Sequence, residues 1–207
     1  AMLVLACVGS RLATTITYVE DPDSLRFALS VADGYDLAAL QPHFPGYPVF
    51  WALAKLFYGP TGHFSASFSI VGGLATAGLI AGLLALWQKP LRSAAGAALA
   101  TAVFVNPLLW LMGNRYMPDL LGTACAVAAL AALLRALPVE DGRLNERAAV
   151  FGIALTGVLA GLRLSYLPLV AVPVGWVLVR SARPLRLLAV GAVSTAAWLV
   201  PMIVDTG

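Results

Sequence analysis

Read for polarity alone, the chain is a series of long apolar runs with short polar breaks, and one polar stretch is far longer than the others. The runs are continuous, which excludes the in–out alternation of a membrane barrel. Several approach the roughly 20 apolar residues that carry an α-helix across a bilayer core. Helical spans are predicted over residues 2–19, 63–87, 93–112, 119–136, 148–162, 167–179 and 187–204. The fifth and sixth are short, and either extend into their flanks or form a tight hairpin around residues 163–166. The pattern predicts an all-α multi-pass membrane protein of about seven transmembrane helices, forming a single module over residues 1–207. Residues 2–8 lack the basic n-region of a signal peptide, and the apolar stretch runs on past Arg11. The first span opens without a flanking positive charge and the chain stops just after the last, as expected for one module of a longer polypeptide.

The long polar stretch, residues 20–62, has a pattern of its own. A structureless loop of that length is uncommon and usually functional. Asp21 is placed to cap a helix, with Pro22 at its first position and Asp23 in its first turn. Leu25, Ala28, Leu29 and Ala32 follow at helical spacing, the signature of a short amphipathic helix lying on the membrane surface. Pro42, Pro45 and Pro48 then break regular structure, and Gly46 permits a sharp turn. After Pro48, "VFWALAKLFY" predicts a second short helix, with Trp51 and Tyr58 suited to the interface.

Composition sharpens this picture. The chain is 60% hydrophobic and 11% charged, against about 25% charged in an ordinary soluble domain. Lys89, Arg92, Arg135, Arg143, Arg147, Arg180, Arg183 and Arg186 fall on one side of the predicted topology, and only Arg26, Lys55, Arg115 and Arg163 on the other. By the positive-inside rule the first side is cytoplasmic. The N-terminus is then cytoplasmic and the 20–62 stretch is a large first extracytoplasmic loop of a cell (inner) membrane protein. Glu20, Asp21, Asp23, Asp33, Asp36, Asp119 and Asp205 fall outside, and Glu140, Asp141 and Glu146 inside. The net charge of +3 gives no nucleic-acid signal. Cys7 and Cys125 lie in apolar runs and read as small buried hydrophobes. Gly78–Gly82 and Gly157–Gly161 are small-residue pairs that let helix backbones approach closely. Arg11 is the odd charge well inside a span, whereas Asp119 and Arg135 stand at span ends. At about 2.5–3.5 kcal/mol for a central arginine, it is expected to face the bundle interior or a partner.

Four segments carry a family resemblance. They are "EDPDSLRFAL" after the first span, "PHFPGYPVFWALAKLF" in the outer loop, "NPLLWLMGNRYMPDLLGTACAVAAL" around the third outer turn, and "GVLAGLRLSYLPLV" later. In this order, and on this side, they resemble the GT-C superfamily of membrane glycosyltransferases. That group includes protein O-mannosyltransferases and related bacterial enzymes using polyprenyl-phosphate sugars. The sequence departs from the pattern at Phe44, where proline is usual, and at Arg163, where some relatives have histidine. The family also normally continues for several more spans, often with a soluble outer domain.

The resemblance implies an inverting transfer of a sugar from a polyprenyl-phosphate donor to an extracytoplasmic acceptor (protein, glycan or lipid). It assigns the general base to Asp23, with Asp21 and Glu20 as neighbouring alternatives. Arg115 and Arg163 would clamp the departing lipid phosphate, or else snorkel to the interface. Asp119, four residues after Arg115, would orient it. His43 would bind phosphate or acceptor, or a loop carbonyl. Tyr47, Tyr116 and Tyr166 would anchor the interface or, less in keeping with their positions, stack on sugar. No cofactor is required, although the acidic cluster offers oxygen ligands for a divalent cation. Two rival readings stand beside this one: a transporter or flippase, which would need polar groups at mid-span, and a non-catalytic membrane assembly subunit whose carboxylates only cap helices.

Overall fold

A computed structural model describes residues 1–137 and 144–206; the side chains of 205 and 206 are not described. Glu140, Asp141 and Arg143 lie outside the described residues, as does the side chain of Asp205. The described chain is all-helical: α1 (Met2–Ala13), α2 (Pro22–Ala32), α3 (Pro48–Thr61), α4 (Phe64–Leu86), α5 (Ala94–Val105), α6 (Pro107–Asn114), α7 (Asp119–Ala136), α8 (Glu146–Leu162), α9 (Leu167–Arg180) and α10 (Pro184–Thr206). A 3-10 turn, Leu164–Tyr166, joins α8 to α9.

Three helices, α4, α7 and Pro184–Val204 of α10, are long and apolar enough to cross a membrane. A fourth candidate is the pair α5 and α6, bent by 57°. The expected straight span over residues 93–112 is therefore broken. Pro107 supplies no N–H and disfavours helix at the residue before it. Asn106 accordingly turns extended, and its side chain accepts from the Leu109 N–H to start α6. The expected first span over residues 2–19 is also shorter than its apolar run. Its helix ends at Ala13, where Thr14 and Thr15 donate back to the carbonyls of Ser10 and Leu12 at 3.0 and 2.9 Å. Hydroxyls bonding the preceding turn, in a run of β-branched residues, favour an exit from the helix.

The order of contacts along each helix pair fixes their directions. α1 runs antiparallel to α4, with Val8 against Gly73 and Thr15 against Ser69. α4 and α7 run parallel, Gly78 meeting Ala124 and Gly82 meeting Val127. α8 returns antiparallel to α7, and α10 runs parallel to α8, with Gly157 against Ser194 and Gly161 against Trp198. Both small-residue pairs thus sit at close helix crossings, as their sequence spacing leads one to expect. Polar turns collect at two ends of the bundle. One end holds Lys89, Arg92, Arg135, Arg147 and the α9–α10 arginines. The other holds α2, α3 and the acidic segment before them.

The two loop helices form where expected, but α2 does not rest on the leucine face. Leu25 is exposed, while Phe27, Ala28 and Val31 are buried. Phe27 meets the Phe50 ring of α3 edge-on at 5.2 Å. Trp51 Nε1 and Lys55 Nζ donate to the Ser30 and Val31 carbonyls at 2.9 and 2.6 Å, satisfying the last turn of α2. α2 is therefore docked on α3 by its aromatic side.

Candidate functional site

The acidic end is organised by the first turn of α2. Pro22 sets the entry, and the Asp21 side chain accepts from the Ser24 N–H at 2.8 Å as the N-cap. Its other carboxylate oxygen pairs with Arg115 Nη2. Glu20 Oε2 meets Arg115 Nε at 2.8 Å, so one guanidinium bridges two carboxylates. Burial alone would raise the Asp21 carboxyl. The Ser24 N–H and the Arg115 bonds and charge outweigh it, and the group is held below its ordinary range. Burial likewise pulls Arg115 down, but its bonds to Asp21 and Glu20 prevail and raise it.

Arg115 is held in place by its own neighbours. From the 110–116 segment, Trp110 Nε1 and Asn114 Nδ2 both donate to Thr14 Oγ1, at 3.1 and 2.9 Å. Tyr116 donates its hydroxyl to the Ile16 carbonyl. The α6 end thus straps down the extended segment that leads to Glu20. Tyr116 is not the interface anchor its position suggested. It is 2% exposed and stacks on Phe68 at 4.8 Å. Burial, and then the Glu20 charge, push its hydroxyl up to about 12.

A second line of contacts begins at Asp23, one residue beyond the proline. Its Oδ1 lies 3.1 Å from Arg26 Nη1 and 3.6 Å from His43 Nδ1. The His43 ring stands edge-on to Phe27 and Tyr47 at 5.4 and 5.2 Å, and its buried Nδ1 makes no hydrogen bond. Tyr47 accepts from Arg163 Nη1 at 3.2 Å. Arg163 Nη2 then pairs with Asp119 Oδ1 at 2.8 Å. The Arg163 guanidinium lies 5.7 and 5.8 Å from the Tyr47 and Tyr166 rings, while its Nε is buried without a partner. Asp119 therefore orients Arg163, not Arg115 as the four-residue spacing implied. The reason is local: residues 115–118 leave the helix, so the two positions never share a helical face. Tyr47 is also buried, at 8% exposure, and works inside this line and not as a surface anchor.

Glu20, Asp21 and Asp23 thus lie within four positions, but only the first two share a partner, Arg115; Asp23 faces Arg26 and His43. Arg115 and Arg163 pair with different carboxylates, and no single cavity described here is lined by Asp23, Arg115 and Arg163. Arg115 borders a void of about 10 Å³ beside Phe50 and Phe68. The larger space nearby is an apolar cleft of about 450 Å³, which begins next to Tyr47 at Pro48 and Val49. Trp51 of α3 and Trp198 and Pro201 of α10 complete its walls. Sequence reasoning missed Arg26, although its three-residue offset from Asp23 was readable, and missed Thr14, Trp110 and Asn114, whose pairing spans about 100 residues. Among the described residues no three His, Cys, Asp or Glu side chains come together as metal ligands. Glu20 and Asp21 instead share the Arg115 guanidinium.

No family model, curated protein or solved structure matches the chain.

Proposed function

We propose that this protein is a GT-C-type inverting glycosyltransferase of the cell membrane, using a polyprenyl-phosphate sugar on the outer face. In this reading the apolar helices make seven passes, counting α1 and the short α8 and α9, with the N-terminus in the cytoplasm. Asp23 takes the proton of the acceptor hydroxyl as that oxygen attacks the anomeric carbon. The bond from that carbon to the lipid phosphate breaks on the opposite face, the phosphate leaves with the electron pair, and the configuration inverts. Arg163 receives the phosphate charge. Glu20 and Asp21 hold Arg115 and the start of α2 and so position Asp23.

One observation carries the reading. Asp23, whose side chain is 43% exposed, lies beside His43 in a line that ends at Arg163, next to an apolar cleft between α3 and α10. A carboxylate open to an acceptor, a guanidinium with an unpartnered N–H and a cleft for an isoprenoid tail suit a lipid-linked sugar. The mid-span positions, Arg11 apart, carry no charge, which disfavours a transporter. A non-catalytic assembly subunit is favoured by the carboxylate already paired with each of Arg115 and Arg163.

The test reconstitutes the protein with radiolabelled polyprenyl-phosphate sugars and a hydroxyl acceptor. General-base catalysis is worth roughly 10²–10⁴-fold, so Asp23→Asn should lower kcat by about that factor with little change in KM. Wild-type transfer by a folded Asp23→Asn protein rules out the base. Failure of the wild type to consume any such donor favours the assembly subunit.

A further inference from the structure

The largest of the cavities described among these residues is at the other end of the bundle and plays no part in the proposed transfer. It holds about 1030 Å³ and opens where α1 begins and where α4 and α7 finish. Its apolar walls are Leu3, Ala81, Leu84 and Leu134. Its rim is polar and cationic: Gln88, Lys89, Arg135 and Asn145. No carboxylate stands among its described lining residues.

The rim cations differ in how far they are committed. Arg135 donates Nη2 to the Ala85 carbonyl at 2.7 Å, and among the described residues the rest of its guanidinium fork has no partner. The Lys89 side chain has no hydrogen bond or ion pair among the described residues. Gln88 adopts φ 52°, in the left-handed region, and turns the chain so that Lys89 follows directly after the end of α4. Apolar walls beside a cationic rim are the profile of a site for an amphiphile with an anionic head. Basic pockets between apolar helices are suited to lipid phosphates, each nearby cation contributing about fivefold in affinity.

We propose that this cleft is a binding site for an anionic phospholipid, with its phosphate at Lys89 and Arg135 and an acyl chain against Ala81 and Leu84. The site rests on the membrane reading of the chain and is independent of any sugar chemistry.

The test uses the full chain in a neutral detergent, with dioleoyl phosphatidylglycerol or dioleoyl phosphatidylcholine titrated in and followed by native mass spectrometry and thermal unfolding. Two cations predict retention of phosphatidylglycerol over phosphatidylcholine by about 30-fold. Lys89→Ala should lower phosphatidylglycerol retention by about fivefold. Ala81→Phe, which fills the space between the apolar walls and leaves every charge in place, should abolish it. Arg183→Glu, outside the cleft but at the same end, should leave it unchanged. Circular dichroism and gel filtration establish that each variant is folded, and Lys89→Gln serves if Lys89→Ala is not. Equal retention of the two lipids overturns the proposal, as does retention that survives both Lys89→Ala and Ala81→Phe. A millimolar level of inorganic phosphate that displaces the lipid assigns the rim to free phosphate and likewise overturns it.

Discussion

Arg11 gives the sharpest energetic prediction. It is fully buried, and among the described residues no carboxylate lies within ion-pair distance. Its hydrogen bonds to Ser10 and Thr76 are long, both 3.4 Å, and its Nε has no partner. The compensation comes from rings: the guanidinium carbon is 3.9 Å from the Trp110 centroid and 5.8 Å from that of Phe104. A desolvated cation–π contact is worth about 2 kcal/mol or more. That nearly offsets the roughly 2.5–3.5 kcal/mol of holding the charge in an apolar span. Arg11→Met, which removes charge and contact together, should therefore lie within about 1.5 kcal/mol of wild type. Trp110→Leu alone strands the charge and should cost at least about 3 kcal/mol. In the Arg11→Met background the same change should cost about 2 kcal/mol less, because the loss of the Trp110–Thr14 hydrogen bond is common to both arms of the cycle. Equilibrium unfolding in mixed micelles, followed by circular dichroism, measures all four proteins. A coupling energy below about 0.5 kcal/mol would refute the ring as the partner of Arg11.

Asp21→Asn keeps a good helix cap but loses the charge that faces Arg115, whereas Asp21→Ala loses both and should be less stable by about a further 1 kcal/mol. Because the folded Asp21 carboxyl is depressed, its stabilisation is complete above the ordinary carboxyl value of about 3.9 and drains away as pH falls through the lower folded value. An acid titration of stability should thus flatten in Asp21→Asn, and an unchanged acid limb counts against the pairing. Arg163→Lys keeps a charge but not the fork that spans Tyr47 and Asp119, and should raise KM for a polyprenyl-phosphate sugar about tenfold. A Cβ at Gly72 would fall on the Gly113 carbonyl, so Gly72→Ala should destabilise by about 1–3 kcal/mol in thermal unfolding. Gly175→Ala, with open space around it, should leave the protein as stable or raise it by about 1 kcal/mol.

What was legible in the sequence was what depends on neighbours in the chain. Asp21 capping α2, Pro22 and Pro48 starting their helices, and the close crossings at Gly78, Gly82, Gly157 and Gly161 all follow from local spacing. The break at Asn106–Pro107 was equally readable, since proline is a local signal, but it was hidden inside an apolar run scored for hydropathy alone. The buried face of α2 was placed one step off, because Leu25 and Phe27 are both apolar and only the facing ring of Phe50 decides between them. The pairings were not legible. Arg115 with Glu20, Arg163 with Asp119, and Arg11 with Trp110 join positions about 44 to 99 residues apart, and which cation meets which anion depends on helix rotation. Four-residue spacing misled at Asp119 because the backbone between it and Arg115 is not helical.

The start of α2 separates two tasks that the sequence had bundled into one acidic cluster. A helix N-terminus carries unsatisfied N–H groups and partial positive charge, so it holds a carboxylate ionised and in place. Asp21 occupies that position and is further fixed by Arg115, which makes it too well stabilised as an anion to take a proton readily. Asp23 lies within the first turn, so it has no capping bond, and its partners Arg26 and His43 are at 3.1 and 3.6 Å. Its side chain is 43% exposed and stays open to solvent. In the proposed transfer only the second kind of carboxylate can serve as a base, and the first kind gives it a rigid platform. Three acids crowd into four positions, and two of them lock the turn to the bundle through Arg115; the proposed transfer assigns its chemistry to the third.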